Sequence, residues 1–213
     1  SDVITNDLAV IASGPTVLDT TTVKDADHIR RKYLLPALPF IETPKQLSIN
    51  SAHIILLSNI MAAEAMKNKA KQLGYKTKIL TTQLQGEARV MGKKLAHLIK
   101  TKTAFIVTGE TTVIVKGNGK GGRNQELALA ASQFIKAGTL ISCSSDGVDF
   151  ITEAAGGIVD ETTKLKAQKN KLNIQHYLNN NNSYNALKKL NGIIITGKTE
   201  TNVGDLIVVL GDK

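Results

Sequence analysis

From about residue 52 onward, short β-rich runs alternate with longer stretches of helical periodicity, and this alternation constrains the fold more than any other feature of the chain. His53 to Leu57 (HIILL) reads as a strand. Met61 to Leu73 follows, with Ala, Met and Leu recurring at helical spacing up to a stop at Gly74. Thr77 to Thr81 reads as a strand and Glu87 to Lys100 as a helix. Phe105 to Val107 and Thr112 to Lys116 read as two strands around a Thr-Gly-Glu-Thr turn. A second long helix fits Asn124 to Lys136, closed by Gly138. Leu140 to Ser144, Ile193 to Thr196 and Leu206 to Leu210 complete the strands. The pattern predicts an α/β fold: a mostly parallel sheet with helices on both faces and antiparallel edge strands.

The first fifty residues differ. SDVITNDLAVIASGPTVLD holds one strand candidate between polar turns, and Asp25 to Leu35 fits a short helix stopped by Pro36, Pro39 and Pro44. A strand and a helix without partners look like the tail of a second α/β domain. The expected division is therefore 1–48 as tail plus Pro-rich linker and 49–213 as an α/β domain. Asn179 to Asn182 is the one low-complexity run and reads as a helix–helix loop.

Composition narrows the classes. With 42% hydrophobic and 21% charged residues the chain is globular. No apolar run approaches the ~18 residues of a membrane span. The opening SDVITNDLAV has no basic region followed by an apolar core, so no signal peptide is expected. A single cysteine, Cys143, excludes an internal disulfide and a CxxC zinc site, and the expected compartment is the cytoplasm. The +9 net charge could attract nucleic acid, but its lysines are spread over helix faces, and no Trp with four Tyr and four Phe makes a poor stacking surface. A basic nucleic-acid binder is thus the weakest reading.

Four segments are more polar and Gly-rich than connections require: Ala12 to Thr16, Gly117 to Glu126, Ser144 to Asp149 and Thr196 to Asn202. The second places four glycines in six residues before the helix former ELALAASQFI. Glycine amides and a helix N-terminus can cradle an oxyanion, with Lys120 and Arg123 adding full charges. It is neither a P-loop nor a GxGxxG fingerprint. The plain alternative is a flexible loop with Asn124 as N-cap and Glu126 favoured by the helix dipole. Asp146 follows a strand, where open α/β sheets bind ligands; with Asp149 it could hold magnesium or orient a hydroxyl, or simply make an Asx-turn. Thr199, Thr201 and Asn202 could contact an anion or cap a turn, and Glu110 reads as a turn residue. If TGET is a tight turn, the next strand runs back and delivers the Gly-rich loop to the sheet edge opposite Asp146.

At these four segments the chain resembles the class II glycerate kinases, the family carrying the MOFRL domain and sometimes labelled hydroxypyruvate reductase. The matching stretches are SDVITNDLAVIASGPTV, TGETTVIVKGNGKGGRNQELALAAS, SSDGVDFITEAAGGIVD and TGKTETNVGDL, in the family's order and over essentially the whole chain. The resemblance implies ATP-dependent phosphoryl transfer to a hydroxyl of glycerate, giving 2-phosphoglycerate with Mg2+, in a cleft between two α/β domains. It places the MOFRL region at about 103–210. It assigns Arg123 and Asp146 as catalytic, with Asp146 also a metal ligand. Substrate or nucleotide contacts fall to Ser13, Gly14, Lys120, Gly121, Gly122, Asn124, Glu126, Asp149 and Asn202. Phe150, Ile151 and Glu153 depart from the family's DGxDGPTDAAG, and Lys198 and Glu200 from its TGPTGTNV. Family members are about twice as long, so the chain reads as the C-terminal half. Its expected partners are glycerate, ATP and the missing N-terminal half, with no nucleic acid or membrane, and self-association into a homo-oligomer is allowed. Alone it is expected to be inactive. The alternative is a non-catalytic anion- or nucleotide-binding module that keeps the fold.

Overall fold

The computed structural model describes residues 1–46, 51–150 and 153–212. The expected boundary at 48/49 and Ile151 lie outside the described residues. The chain forms two compact units, Thr5–Leu56 and a larger one of Ser1–Ile4 with Leu57–Lys213.

The smaller unit contains a 3-10 turn, Ile11–Ser13, and α1 (Val23–Lys32). Thr22 and Asp25 make a capping box at the start of α1, and basic Arg30, Arg31 and Lys32 suit the dipole at its end. The strand expected within residues 1–19 is absent; turns occupy that stretch. His53 to Leu57 also forms no strand, and Ile54 and Leu56 are 79% and 84% exposed. Both runs lack a neighbouring ladder among the described residues, and a strand without one leaves its N–H and C=O groups to water. No described residue of this unit is buried.

In the larger unit, Ser58 accepts from the Met61 amide to start α2 (Asn59–Gln72). Then follow β1 (Lys76–Leu84), α3 (Ala88–Ala96), β2 (Thr103–Gly109), α4 (Arg123–Ala131) and β3 (Thr139–Ser144). The C-terminal part adds β4 (Gly156–Asp160), α5 (Thr163–Lys169), α6 (Ile174–Asn179), α7 (Ser183–Lys189), β5 (Ile193–Ile194) and β6 (Asp205–Leu210). The expected helix over 124–136 is shorter, since the chain leaves helical geometry after Ala131.

The strand order is β1-β2-β6-β3-β4-β5. The α/β class holds, but the mostly parallel expectation is met only in part. Four described strands (β1, β2, β3, β5) run one way, while β1–β2 is the one parallel pair. The reason is β6, the last strand in sequence. It enters at Asp205, beside Gly109 and Ser144 at the carboxyl ends of β2 and β3, and can only run antiparallel between them.

Both faces are covered. β2 sends Phe105 and Val107 into a core with Leu127, Leu129, Leu140, Leu187 and Val209 under α3, α4, α6 and α7. Ala104 and Ile106 alternate to the other face, where α2 packs on β1, β2 and β6 with buried Ala63 and Ala70. Helix α4 is buried from Asn124 to Ala131, so it is the central helix of the unit and can afford no solvated face.

The hairpin expected around TGET does not form. Thr112 makes an isolated bridge to Glu87, and residues 113–116 belong to no strand. The chain therefore does not run back along the sheet. The Gly-rich loop and the Asp146 turn both stay at the end of the sheet marked by Gly109, Ser144 and Asp205.

Candidate functional site

Arg123 opens α4 at that sheet end. Its Nε donates to Asp205 Oδ2 at 2.8 Å and its Nη2 to Asp205 Oδ1 at 3.0 Å. On the other side, Nη1 meets Glu110 Oε1 at 3.1 Å. Asp205 is 1% exposed and Glu110 43%, so one carboxylate is a fixture and the other borders solvent. Burial works against the guanidinium's charge, but the Asp205 carboxylate more than offsets it, with Glu110 and Asp149 adding, so the pKa of Arg123 stands above the ordinary arginine value.

Asn124 is not the N-cap; Gly122 holds that position. Asn124 is wholly buried, accepting from Ser142 Oγ at 2.5 Å and donating from Nδ2 to Asp205 Oδ1 at 2.8 Å. The N-terminal amides of α4 are taken by a carboxylate of the chain itself. Asp149 accepts from the Asn124 amide at 3.2 Å and the Gln125 amide at 2.9 Å, and Gln125 Nε2 adds a bond at 2.9 Å. Burial pushes the Asp149 carboxyl above the usual carboxylate range in spite of these bonds, and Asp205 adds to the rise. Glu126, 2% exposed, pairs with Arg89 at 2.6 Å and accepts from Asn181 Nδ2 at 3.2 Å.

The Gly-rich loop is held, not free. Asn181 Oδ1 accepts from the amides of Lys116 (2.7 Å) and Gly117 (3.0 Å), Asn180 Oδ1 from Asn118 (3.3 Å), and Asn182 Oδ1 from Lys120 (3.1 Å). The loop lies so close to this asparagine run that a Cβ on Gly119 would come within 2.4 Å of Asn182 Cβ, and one on Gly121 within 2.2 Å of Ser183 Oγ. That is why glycine stands here. Lys120 Nζ sits 4.4 Å from the Tyr184 ring centroid, a cation–π contact. Among the described residues, the amides of Gly121 and Gly122 donate to no protein acceptor.

Seven of the residues singled out from sequence line two cavities, while Ser13, Gly14, Lys120 and Asn124 line neither. Arg123, Gly121, Gly122, Glu126 and Asp149 line one of about 430 Å³, together with Glu110 and an apolar wall that includes Val113, Val115 and Phe150. Asp146 and Asn202 line another of about 360 Å³, with Lys198 and Glu200. The 145–150 loop separates them. Phe150 reaches this position at φ 64, a left-handed backbone that costs a bulky residue strain.

Asp146 makes an Asx-turn: its Oδ1 accepts from Ser144 Oγ at 2.7 Å and the Val148 amide at 2.9 Å. Asn202 Oδ1 accepts from the Gly204 amide at 3.0 Å, also a turn bond. Among the described residues no three His, Cys, Asp or Glu side chains converge as metal ligands. Ser13 and Gly14 belong to the 5–56 unit, in a turn where Ala12, Ser13 and Gly14 have φ of 50, 63 and 61. Glu110, Asp205 and the asparagine run are the site residues that sequence reasoning passed over. Glu110 reads as a turn and Asp205 as the start of a strand, and each meets Arg123 only through the strand order.

Residues 103–205 match the MOFRL family, and residues 1–41 match a domain of unknown function, DUF4147. The chain is 42% identical to a D-glycerate 2-kinase of Thermotoga maritima over 99% of its own length and 55% of that protein's. It is 36% identical to a glycerate 2-kinase of Pyrococcus horikoshii, over 99% of this chain and 54% of that one. The crystal structure of a glycerate kinase from Thermotoga maritima superposes with a TM-score of 0.92 at 41% identity, covering 99% of this chain and 55% of that one. The chain thus spans about half the length of the curated relatives it matches. No described helix is long and apolar enough to cross a membrane.

Proposed function

We propose that this chain is part of a kinase that transfers the γ-phosphoryl group of ATP to a hydroxyl of glycerate, giving 2-phosphoglycerate, and that it does not turn over alone. The observation that carries the reading is the guanidinium of Arg123, gripped by buried Asp205 at the edge of the 430 Å³ cavity. A guanidinium has five N–H donors; the hydrogen bonds to Asp205 use Nε–H and one N–H of Nη2, and Nη1 is ion-paired with Glu110. One donor remains on each terminal nitrogen for phosphoryl oxygens. Phosphoryl transfer asks the protein mainly for positioning and charge neutralisation, and a guanidinium fixed in advance supplies both without reorganising.

The uncommitted amides of Gly121 and Gly122 line the same cavity and extend this donor set. Val113, Val115 and Phe150 offer apolar surface suited to a nucleobase. Asp149, by closing the α4 N-terminus, keeps Arg123 on a rigid helix start. Magnesium, bound with the nucleotide, would neutralise phosphate charge, and Asp146 is the carboxylate that would help to hold it. Glycerate as acceptor rests on the names of the relatives. Inactivity of the chain alone rests on its span of about half of those relatives and on Arg123 being 28% exposed, where water screens its charge.

The test is a coupled assay of ADP release with D-glycerate and Mg-ATP. It is run on the 213-residue chain alone and mixed with a polypeptide corresponding to the rest of the relatives' length, with the product position read by phosphorus NMR. Turnover only in the mixture, with phosphate on the 2-hydroxyl, is the expected result. Robust turnover by the chain alone would show that its site is complete.

A further inference from the structure

We propose that Glu110 sets the anion selectivity of the Arg123 site: its carboxylate holds the place on Nη1 that an oxyanion of the substrate takes over. The proposal rests on Arg123 being the oxyanion holder, and deepens that reading by naming what the oxyanion must displace.

The two carboxylates on Arg123 are unequal. Asp205 is bidentate, 1% exposed, and also accepts from Asn124, so it is bound into the fold from several directions. Glu110 makes one contact, at 3.1 Å, and its side chain is 43% exposed. It follows the last residue of β2, and its backbone amide is anchored to Leu84 O at 2.8 Å, so the side chain can swing without moving the sheet. Both Glu110 and Arg123 line the cavity.

Charge makes the displacement necessary. With both carboxylates in place, the guanidinium's single positive charge is already over-compensated, and an approaching phosphate or carboxylate meets a net negative group. An anion that gains the full guanidinium charge therefore takes Glu110's position on Nη1 and sends its carboxylate toward water. A weak anion cannot displace it, whereas one offering several oxygens to Nη1, Nη2 and the Gly121 and Gly122 amides can.

The experiment titrates the wild-type chain, Glu110→Gln and Arg123→Lys with inorganic phosphate and, separately, with D-glycerate by isothermal calorimetry at low salt. Thermal unfolding verifies that each variant is folded. Glutamine keeps the size and an acceptor oxygen but removes the charge. The expected result is roughly threefold to tenfold tighter binding of at least one probe by Glu110→Gln, an order set by losing one partly exposed charge. The probe that gains identifies the displacing oxyanion as phosphoryl or carboxylate. Unchanged or weaker binding of both probes by Glu110→Gln, or no binding by either protein, overturns the proposal. If Arg123→Lys loses binding while Glu110→Gln matches wild type, the selectivity role falls and the Arg123 reading stands. If Arg123→Lys binds as wild type does, both fall.

Discussion

Arg123 and Asp205 lie 82 positions apart in sequence, yet they form a two-bond fork at 2.8 and 3.0 Å, with Asp205 almost wholly buried. The fork joins the first residue of the central helix to the first residue of the central strand. Because Asp205 also accepts from Asn124, a single carboxylate fixes two consecutive residues of the GGRNQE motif. Asp205→Ala should therefore cost about 3 kcal/mol of stability, as expected for stranding a partly buried cation and a buried amide together. Urea denaturation of the two proteins measures it, and a loss below about 1 kcal/mol would mean that water replaces the carboxylate.

The asparagine run makes a comparable prediction for the glycine loop. Asn181 accepts from the Lys116 and Gly117 amides and donates to Ile114 O and Glu126 Oε2, at 2.7 to 3.2 Å. Asn181→Ala should destabilise the unit by about 3 kcal/mol, since each stranded buried partner costs ~1–3 kcal/mol. It should also raise hydrogen exchange at the amides of residues 116–120. Unchanged protection there would show that the loop is held by other means.

Cys143 supplies a pH test. Burial, reinforced by the negative charges of Asp205 and Asp149, pushes its thiol up to about 11, from 9.0 for an unperturbed thiol. The folded-state pKa is raised, so the contribution to stability is full below pH 9 and is lost as pH rises toward 11. The loss amounts to roughly 2–3 kcal/mol. Cys143→Ala should remove this part of the alkaline slope in denaturation curves. Iodoacetamide at neutral pH should leave the folded thiol unlabelled, and rapid labelling would contradict the assignment.

Much of this fold was legible from pattern. The helical periods of α2 and α3 and the β-runs of β1, β3 and β6 lie close to their observed bounds, because each buries one face, α2 on one side of the sheet and α3 in the core on the other. Strand β4 was missed because Gly156 and Gly157 weaken any strand signal; they stand there because a Cβ on Gly156 would come within 1.9 Å of Ser142 O. His53 to Leu57 was misread for the opposite reason. Its residues favour a strand, but strand formation needs a paired neighbour, and propensity carries no information about one. The site divided in the same way. Arg123 and its glycines were visible because their chemistry is local. Glu110, Asp205 and Asn180 to Asn182 were not, since their roles arise from an antiparallel β6 placed between β2 and β3 and from a loop packed on another loop.

The most direct test of the central claim is the rate of ADP release with D-glycerate and Mg-ATP, measured for Arg123 and Arg123→Lys forms of the chain combined with the polypeptide that completes the relatives' length. Lysine keeps the charge but loses the planar fork that Asp205 holds and the second terminal nitrogen aimed at the cavity. Turnover should fall about a hundredfold or more, the order typical of losing one preorganised stabiliser, while the unfolding midpoint shifts little in comparison. Near-normal turnover in Arg123→Lys would contradict the assignment of phosphoryl handling to this arginine.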